Sequence, residues 1–174
     1  MVEQIVTKAG RILAIRPAEE ADATGVIAHL RRVAEEGLLG TVTFRTAEEE
    51  AAFIRFLTPE LYLYLLVVDG GLVVGNIIVS RGTTPTMNHL AGLAMALDQP
   101  YRGEGIGSHL LQLALAWAKD TGAEKAILSV LVANVPAMAL YRKFGFQVEG
   151  VRLRQYRKLH GEGYDDEILM GKFL

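Results

Sequence analysis

Gln99-Pro100-Tyr101-Arg102-Gly103-Glu104-Gly105-Ile106-Gly107-Ser108 lies between an apolar run, Leu90 to Leu97, and an apolar-periodic segment reaching to about Thr121. Each glycine inside a helix or strand costs about 0.5–1 kcal/mol against alanine, so alternate glycines at 103, 105 and 107 mark a tight turn. At a helix start, such a turn points its N–H groups inward. With the positive end of the helix dipole, that nest suits a phosphate or pyrophosphate. A dinucleotide fingerprint needs Gly-x-Gly-x-x-Gly and an acid closing the next strand. Here Ser108 and His109 follow Gly107, and the next strand reads Ser129-Val130-Leu131-Val132. A P-loop needs a lysine after the last glycine, and none is there. On this stretch alone, a ligand-free strand-to-helix turn stays open as well.

The pattern extends outward in both directions. Upstream, Met87 to Leu97 reads as a long strand apolar on both faces, hence central. Before it, Leu61–Val68 and Leu72–Ser80 flank Asp69-Gly70-Gly71, a hairpin signal. Further back, Thr46 with Glu48-Glu49-Glu50 caps a helix, and Val26, Ile27, Leu30 and Val33 form another behind Glu19, Glu20 and Asp22. Ile12–Ile15 is a short strand. Downstream, Ile106, Leu110, Leu113, Ala114 and Trp117 trace a helix ended by Gly122. Ala126–Val132 is a strand, and Pro136 opens a short helix that stops at Gly145. Phe146–Val151, reaching toward Tyr156, and Asp166–Phe173 are the last strands. The order defines an α/β (α+β) single domain over residues 1–174 around a mixed sheet, with 1–10 as an extension or edge strand.

Composition narrows the function. The chain has 174 residues, 51% hydrophobic, and a formal net charge of -2. Without a basic block it does not read as a partner of nucleic acid or of an anionic membrane. No apolar run approaches the ~18 residues of a span. The cysteine count is 0, which removes thiol nucleophiles and thiolate-held metals and suits a cytoplasmic location. His29, His89, His109 and His160 show no metal-ligand spacing, so no metal is expected.

Several stretches together resemble the GCN5-related N-acetyltransferase (GNAT) family. Arg102-Gly103-Glu104-Gly105-Ile106-Gly107 is similar to its acyl-CoA signature, Gln/Arg-x-x-Gly-x-Gly/Ala. Asn134 at a strand end and Ala139-Leu140-Tyr141-Arg142-Lys143-Phe144-Gly145-Phe146 match its following segment. The tail, Gly163-Tyr164-Asp165-Asp166 through Met170, is similar to a branch that acetylates amino acids, small amines and protein N-termini. The resemblance implies an acyl-CoA N-acyltransferase fold, with about seven strands flanked by about four helices. It implies direct transfer from acetyl-CoA to a primary amine of a small molecule, amino acid or protein N-terminus. The family's habit adds a homodimer. A non-catalytic acyl-CoA-binding or regulatory domain on the same fold is the alternative.

The resemblance also assigns residues. Main-chain groups of Met95, Ala96 and Leu97 would pair with the pantetheine arm. The turn Arg102, Gly103, Glu104, Gly105, Ile106, Gly107 and Ser108 would hold the pyrophosphate, with a charged contact from Arg102 and with Gly105 leaving room that a larger residue would fill. Asn134 would bond the pantetheine or neighbouring backbone. Tyr141 would be the general acid, since a phenol near pKa 10 is protonated at neutral pH; the other reading is a tyrosine merely packed on the sheet. The place where many relatives carry a mid-strand acid holds Gly92. His89, on the same expected strand, is then a base or relay by its ordinary titration range, or else a backbone-tied strand start. Glu35 and Glu36, with Tyr164 and Asp165, are candidates for the acceptor side, each also readable as a solvated element end.

Overall fold

The computed structural model describes residues 2–40 and 43–174. Its eight strands are β1 (Glu3–Val6), β2 (Ile12–Pro17), β3 (Tyr62–Asp69), β4 (Leu72–Arg81), β5 (Leu90–Leu97), β6 (Lys125–Leu131), β7 (Gln147–Arg157) and β8 (Tyr164–Phe173). They form one sheet in the order β1-β2-β3-β4-β5-β6-β8-β7. Only β5 and β6 run parallel; every other neighbouring pair is antiparallel. The sheet has one strand more than the expected seven, because the N-terminal segment pairs along β2 from Glu3 to Val6. The Asp69-Gly70-Gly71 signal is a hairpin, with Gly70 at φ 54° and Gly71 at φ 92°, the left-handed conformations that a twist-matched two-residue turn requires.

Four helices cover the sheet: α1 (Ala23–Ala34) and α2 (Ala47–Phe56) on one face, α3 (Ile106–Asp120) and α4 (Val135–Lys143) on the other. Under α3, Leu110, Leu111 and Ala114 are fully buried against Ile77, Val79 and Met170. Each buried leucine stabilises the fold by roughly 1.5–3 kcal/mol relative to exposure. Under α1 and α2, Val26 and Ile54 meet Leu66 and Val68. Thr46 caps α2 as its sequence indicates: its hydroxyl accepts from the Glu49 N–H at 3.2 Å, and Glu49 returns a bond to the Thr46 N–H at 2.8 Å.

Among the boundaries that differ from the sequence reading, two have a visible cause. The acids before α1 belong to a separate 3₁₀ turn, Glu20–Asp22. There Asp22 accepts from the Glu19 N–H and pairs with Arg16, which holds its carboxyl below the usual range. The central strand begins at Leu90 rather than Met87. The Met87 carbonyl lies where a side chain on Gly82 would stand, so the chain doubles back there and Met87, Asn88 and His89 form a turn. Among the described residues, no helix is long and apolar enough to cross a membrane.

Candidate active site

The sheet opens where its one parallel pair ends. β5 and β6 pair at Leu90–Lys125, Ala91–Ala126 and Gly92–Ile127, and no further. Beyond Gly92, β5 stays paired with β4 as far as Leu97. The Asp98 N–H donates to the Val74 carbonyl, on the β4 side. By strand alternation, the backbone groups of Met95 and Leu97 therefore face the gap, while those of Ala96 face β4. A cavity of about 500 Å³ fills the opening. It is reached from both faces of the sheet, with Leu30 and Val33 of α1 on one side and Ala137, Leu140 and Tyr141 of α4 on the other.

The glycine turn lies at one rim. Gly105 caps α3 in the left-handed region at φ 89°, and Gly103 has φ 77°. The first hydrogen bond into the helix runs from the His109 N–H to the Gly105 carbonyl. That leaves the N–H groups of Ile106, Gly107 and Ser108 without intrahelical acceptors. A Cβ on Gly105 would meet nothing within 4 Å, so the glycine is needed for its backbone angle and not for room. Gly107 is the close approach: a Cβ there would stand 3.2 Å from Leu140 and 3.5 Å from Met95. Ile106 is buried in the core, 1% exposed.

Two residues of the turn have partners other than those expected. Arg102 donates through Nε and Nη2 to the Leu97 carbonyl at 2.9 and 2.7 Å, and through both terminal nitrogens to Glu36 at 2.6 and 2.8 Å. The guanidinium ties the end of β5 to the chain after α1. Arg102 lines the cavity with its guanidinium already paired, and both Glu36 oxygens are engaged by it. The Glu104 carboxylate accepts from the Ala9 N–H at 2.7 Å, on the β1–β2 connection.

Tyr141 lines the cavity and is 5% exposed. Its ring packs edge-on against Phe146, centroids 5.8 Å apart. Burial pushes its phenol up to about 12. Asn134 also lines the cavity, and its Oδ1 accepts from the Ala137 N–H at 3.3 Å, capping α4. Helix start and cavity wall are thus fixed by one side chain, with the amide N–H₂ left for another partner.

The remaining expected residues lie elsewhere. His89 sits in the turn before β5, its carbonyl accepting from the Glu124 and Lys125 N–H groups. Six residues of chain, about 20 Å at strand rise, separate it from Met95. Glu35 ends α1 with an exposed side chain, and its carbonyl accepts from His160 Nε2 at 2.9 Å. Tyr164 is exposed beneath the Arg154 and Arg157 guanidinium groups. Asp165 is half-buried outside the cavity lining.

The acid that does reach the cavity is Glu167, 4% exposed. Arg152 Nη1 donates to its Oε2 at 2.9 Å, and the Tyr156 hydroxyl to its Oε1 at 3.2 Å. Burial would raise its carboxyl, but the Ser129 hydroxyl, Arg152 and Tyr156 outweigh that and hold it below the ordinary carboxylate range. Ser129 lines the cavity as well. A bulge in β7 makes the double contact: the register shifts between Arg152 and Tyr156, and Arg154 within it has φ 51°. Two side chains four residues apart thus reach one carboxylate. The available signal was two-residue alternation on β8. Ile168 and Met170 alternate into the core, which puts Glu167 on the opposite face, beside Ser129 and Arg152 on the adjoining strands.

A sheet split beside a glycine-capped helix, with a buried tyrosine over the opening, is the architecture of an acyl-transfer fold. The family model described as "Acetyltransferase (GNAT) family" matches residues 27–146, and the chain belongs to that family of acetyltransferases. It is 36% identical over 115 residues to the N-alpha-acetyltransferase RimI of Mycobacterium tuberculosis, covering 66% of this chain and 70% of that protein. A GNAT-family acetyltransferase from Streptococcus pneumoniae superposes with a TM-score of 0.83 at 30% identity, over 93% of this chain and 99% of that one. The fold also matches yncA, a putative acetyltransferase from Salmonella typhimurium solved with its cofactor acetyl-CoA: TM-score 0.80, 16% identity, 93% of this chain and 94% of that one.

Proposed function

We propose that the chain transfers the acetyl group of acetyl-CoA directly to the primary amine of a small molecule, amino acid or protein N-terminus. The observation that carries this is the buried Tyr141 beside the opening between β5 and β6, its neighbour Leu140 packed close to Gly107 in the first turn of α3. The residues fit the group they would hold. The free N–H groups of Ile106, Gly107 and Ser108 suit the pyrophosphate, and the gap-facing backbone of Met95 with the Leu97 N–H suits the amide-bearing arm. When bound, acetyl-CoA supplies an activated thioester carbonyl.

The chain's own part is to exclude water, to orient and to move one proton. The acceptor amine attacks as the free base; its nitrogen bonds to the carbonyl carbon, and the carbon–sulfur bond breaks. The Tyr141 hydroxyl would donate its proton to the leaving sulfur, and the proton that the attacking nitrogen sheds as the amide forms would pass to water and from there restore the phenol. A phenol held up to about 12 by burial keeps that proton throughout the neutral range. With a cysteine count of 0, no thiol of this chain can carry the acetyl group, which supports direct attack.

The test is release of free thiol from acetyl-CoA with a panel of amines, alongside calorimetric titration with acetyl-CoA. Turnover with an amine and saturable binding are expected. Binding without thiol release across the panel would favour a non-catalytic acyl-CoA-binding domain instead.

A further inference from the structure

We propose that the acceptor is a free α-amino acid with an apolar side chain, its ammonium docked on Glu167 and its carboxylate on Arg152. This rests on the acetyltransferase reading above and narrows its acceptor. Glu167 and Tyr141 line the same cavity, so a group held by Glu167 lies in the space that Tyr141 serves. Arg152 stands at the junction with a second depression of about 560 Å³, on the sheet face that carries α1 and α2. The two spaces share Ala94 and Ser129. The Arg152 side chain is 53% exposed, and one of its N–H groups reaches Glu167. A guanidinium has five donors, which leaves a face of Arg152 open for a second carboxylate.

Charge selects among amines at this site. A plain cation approaching Glu167 meets Arg152 within hydrogen-bond distance of the same carboxylate, and like charges so placed repel. A zwitterion does not have that conflict: its positive end meets Glu167 and its negative end meets Arg152. In an α-amino acid the two charged groups hang from one carbon, a separation that adjoining side chains can span together. A peptide N-terminus lacks the nearby carboxylate and forfeits half of the match. Leu30, Val33, Leu38 and Phe44 line the same cavity as Glu167 and suit an aliphatic or aromatic side chain.

The site is also constructed at a cost. Arg154 takes a left-handed conformation, φ 51°, that L-residues rarely adopt, and the bulge it belongs to places Arg152 and Tyr156 on Glu167. Glu167 acts here as an anchor, not the final proton acceptor, because its partners favour the carboxylate. The ammonium proton passes to water before attack; that water is the co-reactant.

The test compares leucine, leucinamide, isopentylamine and a leucine-initiated peptide in the thiol-release assay. Wild-type kcat/KM for leucine is expected to exceed that for leucinamide by at least about tenfold, the worth of one charge-assisted contact. Arg152→Met should erase that preference. Glu167→Gln should raise the leucine KM by about tenfold or more and move the rising limb of the pH–rate profile to lower pH, since the bound ammonium is no longer stabilised. Acetyl-CoA affinity, measured by calorimetry on each variant, should be retained and shows that the variant is folded. Leucinamide or the peptide matching leucine on the wild-type enzyme would overturn the proposal while leaving the acetyltransferase reading intact. So would a preference that survives in Arg152→Met. Aspartate matching leucine would overturn the apolar-side-chain assignment. Thiol release with no amine at all would defeat the reading beneath it, and the proposal with it.

Discussion

The two sides of the cleft are built from different material. The side that would hold the donor is mostly backbone: the N–H groups at the start of α3 and the gap-facing edge of β5. The side proposed for the acceptor is mostly side chains from distant elements: Leu30 and Val33 from α1, Phe44 before α2, Ser129 from β6, Arg152 from β7 and Glu167 from β8. Backbone groups come pre-oriented by helix and strand, so one side can be kept by a short motif while the other changes ligand residue by residue. Tyr141 stands between the two and should respond most strongly to change. Tyr141→Phe is expected to lower kcat by about 10²–10⁴-fold while acetyl-CoA affinity stays within about threefold. Kinetics and titration on one preparation check this, and unchanged turnover would end the general-acid role. The acid's pH dependence has a definite sign. Its folded pKa, about 12, lies above the unfolded value near 10, so the donor remains protonated until strongly alkaline pH. The stability that burial of the neutral phenol contributes is present below about pH 10 and is lost as pH rises through the folded value.

The next largest effect should come from the donor side's backbone. Gly105→Val places a β-branched residue at φ 89°, which costs about 1–2 kcal/mol or distorts the turn. Acetyl-CoA affinity is expected to fall by about tenfold and the melting temperature by roughly 2–4 °C per kcal/mol. Gly105→Asn, a residue that tolerates the left-handed region, should recover most of both. Equal damage from the two substitutions would return the glycine's role to one of space.

That asymmetry also governs what the sequence discloses. The turn, the helix start and the adjoining apolar strand are legible because glycine spacing and periodicity are local features. Tyr141 and Asn134 fell within a short contiguous pattern, and both line the cavity. The proposed acceptor side is harder to read: alternation gives Glu167 its face, but no local pattern brings β8 beside β6. The acidic run Asp165-Asp166-Glu167 drew attention to its first members, yet the pleat and the bulge at Arg154 deliver the third. His89 failed for a related reason: the turn at Gly82 removes it from the strand on which its candidacy depended. Arg102 and Glu36 each stand out in the sequence, but 66 residues separate them and nothing local pairs them.

A smaller effect belongs to Asn134, which serves both sides. Asn134→Ala should cost about 1 kcal/mol through the lost α4 cap. Thermal denaturation checks that figure. Asn134→Ser restores the cap, and any acetyl-CoA affinity still missing in that variant measures what the amide N–H₂ contributes to the donor.

The smallest expected effect on the donor concerns Arg102, and it sharpens the contrast between backbone and side chain. Its guanidinium is engaged by Glu36 and the Leu97 carbonyl. The ion pair's side chains are 30% and 29% exposed, so solvent screens it and its worth is at most about 1 kcal/mol. Arg102→Met keeps the apolar stem and removes the bridge. It should lower stability by about that amount and change acetyl-CoA affinity by less than about threefold, with little change in its salt dependence. A backbone nest needs no side-chain cation to hold a pyrophosphate. A loss of tenfold or more, with a shallower salt dependence, would show that Arg102 leaves Glu36 when the donor binds. The donor side would then share the acceptor side's reliance on mobile charge.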